Sequence, residues 1–150
     1  MREKKTALMK ATDLLASQDQ STAILRRKLL MRKYSAEEVD TAIDKLKQYN
    51  YLDDEELCRR QFENFCAEEK LSMRQILMKL IQRGFDKDFV MNLLPENADE
   101  YEQNVAEKLL AKKFSAAKFD RVKAWKFLSS RGFDGEIISH AVENFDTDTE

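Results

Sequence analysis

Three glycines and one proline in 150 residues leave little material for tight turns. Folds that depend on many β-turns need both residue types at fixed places, so they are excluded. Histidine occurs once, as His140, and cysteine twice, as Cys58 and Cys66. These three residues do not form a metal-ligand spacing, and His140, among apolar neighbours, is expected to be a packed or surface residue. On one helix the two cysteines would stand roughly 12 Å apart, too far for a disulfide. They read as reduced packing residues of a cytoplasmic protein. No glycine-rich phosphate loop, nucleophile elbow or paired-histidine zinc motif occurs. No nucleophile–base pair can be assembled either, so an enzyme is the least expected class, and no catalytic residue, metal or cofactor is expected. No apolar run approaches the ~20 residues that span a bilayer. The start, Met1-Arg2-Glu3-Lys4-Lys5, has no apolar stretch behind it, so no signal peptide is expected. The net charge of −2 leaves only local patches as anion-binding surfaces.

What the chain has is helix-forming sequence, rich in Lys, Glu, Gln, Leu and Ala. It also has one stretch that occurs three times: Arg32-Lys33-Tyr34-Ser35, Arg83-Gly84-Phe85-Asp86 and Arg131-Gly132-Phe133-Asp134. Each copy follows one apolar helical run and opens another, at spacings of 51 and 48 residues. A stop-and-start device at such a period marks an array of one supersecondary unit.

Helices are predicted over 5–17, 22–33, 36–49, 54–69, 73–83, 87–94, from about 99 onward, 121–131 and 135–145. Capping boxes open three of them, through Ser35 with Glu38, Asp53 with Glu56, and Ser72 with Gln75. Ser21, Asp86 and Asp120 are further N-caps. Gly84 suits the left-handed residue after a helix, with Phe85 folding back on Leu80 or Ile81. Pro95 stops the sixth helix. Residues 112–118 read as a looser polar connection, and the acidic tail after Phe145 as frayed. Val122, Trp125, Phe127 and Leu128 are assigned to the eighth helix, and Trp125, Phe127 and Phe133 mainly to the core, with stacking on bases as the alternative.

Aligned on Tyr34, Phe85 and Phe133, the caps Ser21, Ser72 and Asp120 coincide, as do Leu29, Leu80 and Leu128. The expected fold is all-α: three tandem three-helix, helix-turn-helix-like repeats over 1–51, 52–97 and 98–150, in an elongated, curved array.

The middle helix of each repeat is basic. Arg26, Arg27, Lys28 and Arg32 lie in the first, Arg74, Lys79 and Arg83 in the second, and Lys123, Lys126 and Arg131 in the third. The third helix of each repeat is acidic, as with Glu37, Glu38, Asp40 and Asp44. The helix macrodipole accounts equally well for single residues, because Arg32, Arg83 and Arg131 sit in last turns and Asp86 and Asp134 in first turns. It does not require Arg26, Arg27, Arg74, Lys123 or Lys126. As a set, the basic residues mark a footprint for a polyanion, a filament groove or an acidic protein. The four acids Asp53 to Glu56 could mimic a cation site, but capping and dipole explain them.

The segments Ile24-Leu25-Arg26-Arg27-Lys28-Leu29, Tyr49-Asn50-Tyr51-Leu52-Asp53-Asp54, Arg74-Gln75-Ile76-Leu77-Met78-Lys79-Leu80 with Arg83-Gly84-Phe85, and Lys126-Phe127-Leu128-Ser129-Ser130-Arg131-Gly132-Phe133 together resemble the RecX family of RecA regulators. The resemblance runs from about residue 5 to 145. It implies a non-enzymatic monomer that lies in the groove of the RecA–single-stranded DNA filament and lowers ATP hydrolysis and strand exchange. On this chain the implied surface includes Arg26, Arg27, Lys28, Arg74, Lys79, Lys123, Lys126 and Arg131, to which the charge pattern adds Arg32 and Arg83, with single-stranded DNA as a further direct partner and no membrane. Leu71-Ser72 stands where the family usually has Gly-Pro, and the acidic net charge is unusual for it. Both bear on independent DNA binding rather than on RecA binding. A duplex-binding helix-turn-helix regulator and a helical-repeat scaffold are the alternatives.

Overall fold

The chain is described here by a computed structural model over residues 4–148, with 147 and 148 as backbone only. Among the described residues there are nine α-helices and no strand. They are α1 (Ala7–Ser17), α2 (Thr22–Met31), α3 (Ala36–Gln48), α4 (Asp54–Glu68), α5 (Met73–Gln82), α6 (Lys87–Met91), α7 (Ala98–Lys113), α8 (Arg121–Ser130) and α9 (Gly135–Asp148). A single 3₁₀ turn, Ala116–Lys118, lies between α7 and α8.

The caps that set these boundaries act locally. Ser35 and Glu38 form a reciprocal capping box at α3, and Ser72 with Gln75 forms one at α5. Asp53, Asp86 and Asp120 accept the N–H of Glu56, Phe89 and Lys123. Thr6 caps α1 through the N–H of Met9, so that helix starts at Ala7, two residues later than the predicted range of 5–17. The three repeated turns share one geometry. Lys33, Gly84 and Gly132 have φ of 69°, 91° and 90°. The following N–H of Tyr34, Phe85 and Phe133 returns to the carbonyls of Leu29, Leu80 and Leu128.

Three expectations are corrected. The sixth helix ends at Met91 rather than Leu94. Pro95 has no N–H to give the Met91 carbonyl, and it disfavours helical backbone at Leu94, whose own N–H takes that carbonyl at 3.4 Å instead. The last helix runs on to Asp148, past Phe145, with Asp146 paired to Arg121 at 3.2 Å. The part of the expected frayed tail at 149–150 lies outside the described residues, as do residues 1–3 of the start. Finally, Trp125 is not a core residue: it is exposed at 40%, as is Val122 on the same helix at 62%. Ala124 and Leu128 form the buried stripe of α8, and Trp125, one residue beyond Ala124, is turned about 100° away from it.

The chain forms two compact units, Met1–Gln61 with Leu80–Val90 and Phe62–Lys79 with Met91–Glu150. In the first, α1, α2 and α3 pack on one another around Ala11, Leu25, Leu29, Val39, Ile43 and Leu46. In the second, α7 and α8 pack on α9 around Val105, Leu110, Leu128, Phe133, Ile138 and Val142.

Within each unit a serine cap is tied to a distant turn. In the first unit Ser21 is buried and donates its hydroxyl to the Arg83 carbonyl at 2.6 Å, while accepting the Ile24 N–H. In the second, Ser72 is fully buried, donates to the Arg131 carbonyl at 2.6 Å, and accepts the Gln75 N–H. A carboxylate completes each joint at the first helical N–H. Asp54 takes both the N–H and the hydroxyl of Thr22 at 2.9 Å, and Glu102 takes the N–H of Met73 at 3.3 Å. These bonds satisfy helix-end groups that would otherwise be orphaned in a buried place.

Candidate partner-binding surface

The basic residues predicted to bind a partner fall five to each unit. Arg26, Arg27, Lys28, Arg32 and Arg83 belong to the first, and Arg74, Lys79, Lys123, Lys126 and Arg131 to the second.

In the first unit, α2 buries Leu25 and Leu29 and presents the remaining faces outward. Arg27 is exposed, and Lys28 is half-buried. Arg26 is tied to Asp40 of α3, Nε to Oδ1 at 3.0 Å, an exposed pair worth well under ~1 kcal/mol. The expected separation of basic and acidic helices is therefore bridged there. Arg32 turns back to the Lys28 carbonyl at 3.3 Å. Arg83 arrives from the distant turn that Ser21 holds. It donates to Gln61 at 2.9 Å and lines a cavity of about 290 Å³ together with Lys28, Ser21, Gln82 and Asp19. Two cations 55 residues apart in sequence thus share one opening. Asp19, which also lines it, is itself paired with Arg60 at 3.5 Å.

In the second unit Arg74 and Arg131 meet at the equivalent turn. The stem of Arg74 lies against Gly132, 3.2 Å from where a Cβ would stand. The Arg131 guanidinium sits over the Phe127 ring, 4.7 Å from its centroid, and Lys113 approaches the same ring at 5.1 Å. Lys79, Lys123 and Lys126 are exposed.

Other candidates have structural roles. Cys58 is buried and free, and burial pushes its thiol up to about 11, so it is inert at neutral pH. Burial also raises Cys66. His140 is exposed. Asp53 caps α4 and Asp54 holds Thr22, which accounts for half of the acidic run. Among the described residues no three His, Cys, Asp or Glu side chains group to hold a metal ion. None of the described helices is long and apolar enough to cross a membrane.

Sequence reasoning missed the exposed apolar residues on the basic helices: Met31 at 75%, Met78 at 49%, Val122 and Trp125. Their signal was present as apolar residues set off the buried stripe of each helix.

A family model described as the first three-helix domain of RecX matches residues 7–46. A "Regulatory protein RecX" of Actinobacillus pleuropneumoniae is 32% identical, over 97% of this chain and 96% of that protein. One of Haemophilus ducreyi is 30% identical over 93% of each. In fold, the chain is similar to the crystal structure of RecX from Lactobacillus salivarius, with a TM-score of 0.77, 18% identity, and coverage of 94% of this chain and 95% of that one. The chain belongs to the RecX family of regulatory proteins.

Proposed function

We propose that this chain, as a monomer, binds the filament that the RecA recombinase forms on single-stranded DNA and lowers its ATP hydrolysis and strand exchange. It acts by binding, through three helical repeats over 1–51, 52–97 and 98–150. The observation that carries this reading is the joining of Lys28 with Arg83 at one cavity beside exposed Arg27, on a chain whose net charge is acidic. Positive charge gathered locally against the overall balance favours a specific anionic surface over general polyanion binding. Arg26, Arg32, Arg74, Lys79, Lys123, Lys126 and Arg131 extend the contact. Reading of duplex DNA by α3 or α9 is opposed by Glu37, Glu38 and Asp40 on the one and Glu136 and Glu143 on the other, because acids repel phosphate.

The test is DNA-dependent ATP hydrolysis by RecA, with this protein titrated up to an equal ratio at two salt concentrations. A fall at substoichiometric ratios that salt weakens is expected. Substituting Arg26, Arg27 and Lys28 together by Glu should raise the half-inhibiting concentration roughly tenfold or more while helicity stays intact. Unchanged hydrolysis at equal ratio overturns the inhibition.

A further inference from the structure

The exposed side of α8 carries the one tryptophan of the chain. Val122, Trp125, Lys126 and Ser129 stand at i, i+3, i+4 and i+7, which is a single stripe along a helix. All four are exposed, whereas Ala124 and Leu128 in the buried stripe are fully covered. A cavity of about 390 Å³ opens beside the indole, lined by Trp125, Lys126, Ser129 and Ser130. One edge of the ring is seated: a Cβ added to Gly135 would lie 3.3 Å from Trp125 Cη2. A Cβ there would crowd the ring edge by a few tenths of an ångström, so the indole meets the start of α9 at its rim while the ring as a whole stays 40% exposed.

Charge and shape together select the occupant. Helix α8 contains Arg121, Lys123 and Lys126 and no acid, and Lys118 comes just before it. Of the nearby acids, Asp120 accepts the Lys123 N–H and Asp146 pairs with Arg121, while Asp134 and Glu136 flank Gly135 at the seated edge of the ring. An apolar helix docked here would desolvate Lys126 without a partner. An acidic peptide would pair with Lys126 but need not bring a flat face to the indole. A single nucleic-acid strand brings both, a base with a π-face and a phosphate one bond system away.

We propose that Trp125 is a base-stacking platform for single-stranded nucleic acid, with Lys126 and Ser129 holding the adjoining phosphate. This rests on the reading above for the presence of a single strand at the surface.

Because Trp125 is the sole tryptophan, emission excited beyond the absorption of the four tyrosines reports on this site alone. Titration with oligothymidylate should quench it to saturation, and inorganic polyphosphate should not. By anisotropy of a labelled oligothymidylate, Trp125→Ala should weaken binding about 5- to 150-fold, the equivalent of one stacked base, and Trp125→Phe should keep most of it. Lys126→Gln should lower the salt slope by about one. Equal quenching by polyphosphate, absence of quenching, or unchanged affinity in Trp125→Ala each overturns the platform. Absence of quenching with RecA inhibition retained removes the platform alone. Quenching without any effect on RecA keeps the platform and removes the filament reading.

Discussion

The joints of the two units use the same hydroxyl and differ in their carboxylate. Ser21 and Ser72 each donate at 2.6 Å to the carbonyl before a left-handed glycine, Arg83 before Gly84 and Arg131 before Gly132. In the first unit Thr22 offers Asp54 both an N–H and a hydroxyl. In the second, Met73 has only its N–H to give Glu102, whose Oε2 stays buried without a partner. The constant part of the joint is therefore a buried serine closing on a glycine turn. The variable part is the acid: both bonds from Thr22 fall on one oxygen of Asp54, Oδ1, whereas Glu102 takes a single bond and buries its other oxygen.

The glycines separate the joints most sharply. A Cβ at Gly84 would stand 2.7 Å from Ser21 Oγ and 3.0 Å from Ala23 Cβ. At Gly132 the nearest atoms are Arg74 Cδ at 3.2 Å and Ser72 Oγ at 3.3 Å. Both positions also have positive φ, which penalises any Cβ. Gly84→Ala must in addition push a short serine off its carbonyl, whereas Gly132→Ala displaces first the flexible stem of an arginine. The expected losses are about 2–5 kcal/mol for Gly84→Ala and about 1–3 kcal/mol for Gly132→Ala, read from urea unfolding. Equal losses would mean that backbone strain alone sets the cost and that the tighter joint does not matter.

The carboxylates give the next effect. Burial raises Glu102 from 4.5 to about 7, and Asp134 and Asp99 add to the rise, while the Met73 N–H opposes it. A carboxyl whose folded value lies above its unfolded one holds more protons when folded. Its contribution therefore favours the fold at low pH and is lost as pH climbs from about 4.5 through about 7. Glu102→Gln keeps an acceptor for Met73 and removes the titration. The urea midpoint of the variant, compared with that of the parent, should gain ground steadily across that window and then level off. Parallel pH profiles for the two proteins would show that the orphaned oxygen is hydrated and that Glu102 titrates normally.

Much of this architecture is written locally. Ser35, Ser72, Asp53, Asp86 and Asp120 announce helix starts because a cap acts within three residues, and Gly84 and Gly132 announce stops for the same reason. Pro95 announced a stop too, but its effect reaches back over the preceding turn, which the apolar spacing of Phe89, Val90, Leu93 and Leu94 concealed. Trp125 was placed mainly in the core on hydrophobicity alone, although its angle around α8 sets it off Ala124 and Leu128. The candidate surface was legible as a set of basic residues and not as a geometry. That Lys28 and Arg83 line one cavity depends on the Ser21 hydroxyl closing on a carbonyl 62 residues away. No local rule contains such a bond.

The smallest effect belongs to the third copy of the turn. Lys33 occupies the register position of Gly84 and Gly132, with φ of 69°, and its side chain is exposed. The same backbone hydrogen bonds close this turn, from Lys33 to Leu30 and from Tyr34 to Leu29. A lysine can stand there at the modest strain of a left-handed residue, roughly 1–2 kcal/mol. Lys33→Gly relieves that strain and at the same time gives the unfolded chain more freedom, which costs up to ~1 kcal/mol. The two oppose each other, so the net change should stay within about 1 kcal/mol and lean towards stabilisation, as read from the same urea curves. A loss as large as that of Gly84→Ala would show that the Lys33 side chain itself holds the turn. A small gain would show that glycine is required at the other two turns because a serine cap packs against each, and not because the chain must turn there.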